Sequence, residues 1–150
     1  MQVVYSAIHL YAFSVFLLAL VSIGVALRMH LSSRHSRVGM SGAALPAAVM
    51  LAAFYMLAVH VHHSLGGWPR TIGEYGFSPA LVAHAHITVV YFEALIIFTM
   101  LAWPVSYVVC LMVPRWRMFL YYQGIYAFAC MACIGLMLLA PSSFLNWWWD

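Results

Sequence analysis

The sequence predicts an all-α polytopic membrane protein, with four transmembrane helices in an up-down bundle forming a single domain over residues 1–150. Three observations predict it. The chain is 67% hydrophobic and only 6% charged, whereas an average soluble domain is roughly a quarter charged. So few polar groups cannot cover a surface facing water. Four apolar runs reach the length of about 20 residues that a membrane-crossing helix needs. The arginines gather at the ends of these runs, where orientation is decided.

The first span covers about residues 3–27 and is closed by Arg28. The start, Met1-Gln2-Val3-Val4-Tyr5, has neither a basic segment nor a small-residue cleavage site, so this run is expected to be a retained helix and not a signal peptide. The second span covers about residues 43–63 and is closed by Gly66 and Gly67. The third covers about residues 80–103, between Pro79 and Pro104. Residues 105–113 stay apolar, so the third helix either continues, kinked, past Pro104 or gives way to a short interfacial segment. The sequence leaves both open. The fourth span covers about residues 118–140 and is closed by Pro141.

All six basic residues are arginines. Loop one (Arg28, Arg34, Arg37) and loop three (Arg115, Arg117) hold five of them and lie on one side. Loop two holds Arg70 alone, with Glu74. The positive-inside rule puts loops one and three in the cytoplasm. Both termini and loop two then face the periplasmic side of the cell inner membrane. The tail Asn146-Trp147-Trp148-Trp149-Asp150 is expected to anchor in the outer headgroups, and Trp68 likewise. No basic stripe exists to neutralise phosphates, which argues against nucleic acid. Arg70 and Glu74 could hold a substrate or a partner subunit, although such a pair is more often solvated.

Eight histidines in so apolar a chain is the informative feature. His30 and His35 fall in the arginine-rich loop and are expected to be solvated. The other six, His9, His60, His62, His63, His84 and His86, come from three spans. At 1.5 Å rise per residue they fall within a slab on the order of 10 Å thick near the outer face. Ionisable groups at membrane depth are costly and usually face a bundle interior or a cavity, and imidazole is the commonest metal ligand. Two facing imidazoles suit the axial positions of haem b. His60 and His63 share a helix face, whereas His84 and His86 point to nearly opposite sides. The preferred pair is His60 with His86. The competitor is His63 with His84, and a second site uses His9. A copper centre built from His60, His84 or His86, and His9 is the alternative. The ordinary reading of any one of them is an interfacial polar residue at a helix end.

Glu93 is the one acidic residue deep in a span. On the His86 face it suggests a catalytic role as a proton relay or quinol-facing acid, or else a carboxyl bonded to a neighbouring helix. Cys110, Cys130 and Cys133 lie inside apolar runs and read as small apolar residues. Cys130-Met131-Ala132-Cys133 lacks the exposed thiol that redox pairs need. Tyr121, Tyr122 and Tyr126 fit an interfacial belt. Nucleotide-binding, hydrolase, zincin and c-type haem motifs are absent.

In architecture alone, without a shared motif, paired histidines in a four-helix bundle resemble the membrane anchors of b-type cytochromes. The function expected is a membrane subunit of a respiratory or related redox complex, holding haem b and exchanging electrons with quinone. Two other classes compete: a cofactor-free accessory subunit packed among other membrane subunits and lipids, and a copper or other transition-metal subunit. A metal transporter fits poorly, because below Glu93 the third span offers only Thr99.

Overall fold

The computed structural model describes residues 2–32, 36–69 and 77–149, and in the first helix the side chains of residues 8–31. Among the described residues six α-helices follow in order: α1 (Gln2–Ser32), α2 (Arg37–Leu65), α3 (Pro79–Ile97), α4 (Trp103–Met112), α5 (Leu120–Met137) and α6 (Ser142–Trp149). A π-helical turn, Phe98–Ala102, joins α3 to α4, and a 3₁₀ turn, Pro114–Phe119, leads into α5. Four of the resulting stretches are long and apolar enough to cross a membrane: Ile8–Leu31, Arg37–Leu65, Pro79–Met112 and Pro114–Met137. The protein is thus a four-span helical bundle.

The helices overrun the apolar runs. Helix α1 continues through Arg28 and His30, and α2 already starts at Arg37, so loop one is shorter than the sequence suggests. Arginine is a good helix former, and a helix may keep its hydrogen bonds as it leaves the hydrocarbon. Arg34 and His35, and likewise Arg70 and Glu74 of loop two, lie outside the described residues. The third span does continue past Pro104. Proline offers no N–H to the carbonyl four residues back, that of Met100. The chain widens into the π turn just before it, and the Tyr11 hydroxyl of α1 donates to the Met100 carbonyl.

Packing runs in the order α1, α5, α2, α3. Helix α1 packs along α5, α5 also packs along α2, and α2 pairs with α3. The core sits where α2 and α5 meet. Met50, Phe54, Leu57 and Val61 fall on one face of α2 and are fully hidden, as a 3.6-residue repeat requires. From α5, Tyr126, Ala127, Cys133 and Met137 join it. The outer surface is apolar in turn, with Leu10, Phe13, Val59, Ile87, Ile97 and Phe128 exposed. A surface of that kind belongs in lipid.

Two groups of aromatic residues pack more closely than the sequence suggests. Tyr121 and Tyr126 are buried within the bundle. The Tyr126 hydroxyl shares a hydrogen bond of 2.7 Å with Thr99, which a hydroxyl away from water needs. The tryptophan tail forms α6 and folds against the bundle. Phe144 is fully buried against Phe54, and Trp148 packs on Phe54 and Phe92.

Candidate functional site: a histidine pair between two membrane helices

The hairpin formed by α2 and α3 builds the site, and caps at both of its inner ends define it. Gly66 ends α2 at φ 67°, a left-handed conformation that glycine adopts without strain, and the Gly67 N–H reaches back 3.0 Å to the His62 carbonyl. Ser78 starts α3 by accepting from the Leu81 N–H at 3.2 Å, with Pro79 in the first turn. Deeper down, the Tyr91 hydroxyl of α3 donates to the Pro46 carbonyl of α2 at 3.0 Å. These ties hold the two helices antiparallel and in register.

In that register His60 meets His84. Their Nδ1 atoms are 3.0 Å apart, a hydrogen bond, and the rings lie 5.3 Å centre to centre at 36°. Both side chains are half-buried. A contact between two Nδ1 atoms needs a proton on one of them and a lone pair on the other. The backbone beneath is firm: the Thr88 hydroxyl donates to the His84 carbonyl at 2.9 Å. Both imidazoles line one side of a groove of about 660 Å³, completed by Ala52, Tyr55, Met56 and Val59. The groove opens outward through the apolar surface, and the Tyr55 hydroxyl is engaged elsewhere, donating to the Leu136 carbonyl at 2.8 Å.

The expected pairs His60 with His86 and His63 with His84 are therefore not formed. Two residues apart on a helix is a turn of about 200°, so His84 facing α2 sends His86 outward. His86 is exposed. His63 is exposed and lies edge-on to His62, whose ring packs on Trp68 at 4.7 Å. His9 is exposed on α1, which packs along α5 and not along the hairpin. Among the described residues no three histidines, cysteines or acids gather as a metal site, so the three-histidine copper arrangement does not form. Glu93, nine residues beyond His84, is exposed on the other side of α3 and is absent from the groove lining. His30, expected in solvent, stacks beside Tyr121, with Nδ1 3.0 Å from its hydroxyl.

Cys110, Cys130 and Cys133 are buried free thiols. Cys133 touches the Met137 sulfur at 3.9 Å. Tyr55 and Met56 are the groove residues that sequence reasoning missed. Within an apolar run neither carries a signal, because which side of α2 stays uncovered depends on its neighbours.

The fold and the site together define a four-span membrane protein with a hydrogen-bonded imidazole pair on a groove that opens toward lipid. Against known proteins, no family model matches the chain, and neither a curated protein nor a solved structure matches it.

Proposed function

We propose that the protein is a membrane subunit of a respiratory or related redox complex, and that the His60–His84 pair engages a quinone or quinol carried in the bilayer. One observation carries this reading: two imidazoles joined Nδ1 to Nδ1 at 3.0 Å on the wall of an apolar, outward-opening groove. When both rings are neutral, the ring that donates through Nδ1 has a bare Nε2, and the ring that accepts carries its proton on Nε2. The pair then offers a ligand one acceptor and one donor. A quinol hydroxyl complements the first and a quinone carbonyl the second. Ala52, Met56 and Val59 suit the hydrocarbon part of such a ligand. On oxidation of a quinol, one hydroxyl proton passes to the bare imidazole nitrogen and the second leaves to water, while the two electrons leave one at a time to a one-electron acceptor held in the complex.

A second reading is favoured by the same facing of imidazoles from neighbouring helices: His60 and His84 would hold the iron of a haem b, which would supply one-electron transfer, once the two rings gave up the hydrogen bond that joins them. The arginine bias supports an inner-membrane orientation with loop two outside.

Two measurements on one purified sample test these readings. Binding of a short-chain quinone is expected to weaken at least tenfold in His60→Ala and in His84→Ala. A reduced-minus-oxidised spectrum with a haem b band, lost in both variants, selects the second reading. If the protein shows neither quinone binding nor a haem band, the redox function is overturned and a cofactor-free accessory subunit remains.

A further inference from the structure

Helix α3 divides sharply by side. Leu81, His84, Thr88, Tyr91 and Leu95 turn inward, and His84, Thr88 and Tyr91 all have hydrogen-bond partners. His86, Val90, Glu93 and Ile97 recur at helical spacing on the opposite side, and all four are exposed. Glu93 has no hydrogen bond or ion pair with any described residue, and neither has His86. Glu93 also sits deep. It lies 14 residues beyond Pro79 in a continuous apolar stretch that runs to Met112, about 21 Å along the axis. Ionisable side chains at that depth face a bundle interior or a water-filled cavity and pair with one another. Among the described residues Glu93 is exposed on the outside of the bundle.

We infer that this side of α3 is an interface inside a larger membrane assembly, and that its occupant is a transmembrane helix of a different polypeptide carrying a lysine or arginine level with Glu93. Charge complementarity selects the occupant. Among the described residues every arginine lies in the last turns of α1, at the start of α2 or in the 3₁₀ turn, none of them along α3, so a second copy in the same orientation brings Glu93 to face Glu93 and supplies no cation. Ala83 and Ala94 flank the stripe, and small residues let a neighbouring backbone approach closely. A buried ion pair broken on one side is strongly destabilising, which makes the acid a selective mark for one partner. The site is separate from the histidine groove, so its test is independent of quinone or haem.

The experiment places a photo-crosslinking amino acid at Val90 of the full chain in its native membrane, with one at Met56 on the groove side as control. The expected result is a cross-link from position 90 to a distinct transmembrane peptide that contains a lysine or arginine. Its yield is expected to fall at least fivefold in Glu93→Gln and Glu93→Leu. Reversing the charge of the partner residue together with Glu93→Lys is expected to restore it. Both single variants leave the core untouched, and unchanged helix content and monomer stability in detergent check this. Cross-linking to a second copy of this chain, to lipid only, or to a partner whose yield ignores Glu93 would each overturn the inference.

Discussion

Two helix seams in this molecule use opposite means. Where α1 crosses α5, the backbones nearly touch. A Cβ on Gly124 would lie 2.5 Å from the Ala26 Cβ and closer still to the Ser22 carbonyl. Where α2 runs beside α3 toward the turn that joins them, the seam leaves a groove, and the contact across it is made by His60 and His84. In lipid no hydrophobic force pulls helices together, so close van der Waals packing of small residues is what binds them. The first seam therefore holds the fold. The second gives up packing for a polar pair and an opening, which is what a ligand site needs.

The comparison can be broken most decisively at Gly124. Gly124→Val should cost about 1–3 kcal/mol, the usual range for overpacking, and loosen α1 from α5. Thermal unfolding in detergent measures it. Gly135 lies on the same helix with open space around it, so Gly135→Val should change stability by no more than about 0.5 kcal/mol. Equal effects at the two positions would remove the distinction between a packing seam and a free surface.

At the other seam the larger effect should be on binding. His60→Ala is expected to weaken short-chain quinone binding by at least tenfold, or about 1.4 kcal/mol. Its cost to stability should stay near about 0.6 kcal/mol, the average for hydrogen bonds between membrane helices. A variant that unfolds the hairpin instead would assign the histidines a structural role. Met56→Trp sharpens the point further. Filling the groove should cut quinone affinity about fivefold while leaving the unfolding temperature unchanged, since Met56 is exposed.

The smallest effect tests how the third span tolerates its proline. Tyr11→Phe should cost about 0.6 kcal/mol, because the Met100 carbonyl loses its donor. In a Pro104→Ala background, where an N–H is available four residues on, the same change should cost less. An identical cost in both backgrounds would separate the Tyr11 hydroxyl from the proline.

The long-range order of the chain was legible where one physical constraint acted alone. Each span showed as an apolar run, because a helix in lipid must satisfy its backbone internally and turn only apolar side chains outward. Helix ends were less legible. Arg28 and His30 looked like loop and are helix, since a polar side chain governs depth and not backbone conformation. The histidines were legible as a group and not as partners. His84 and His86 were known to diverge, yet nothing local says which of them turns toward α2.

The amino-acid order by itself determined four apolar spans, the arginine asymmetry of the loops and the presence of imidazoles near one end of three helices, because these depend on composition and on the 3.6-residue period. Only the tertiary structure decided that α1 lies against α5, that α6 folds its tryptophans onto Phe54 and Phe92, that His60 meets His84 and that Glu93 is left outside. Those outcomes depend on the rotation of each helix about its own axis. In a chain apolar on nearly every side, that rotation is set by small residues, caps and ring packing between helices, and by no pattern within one of them.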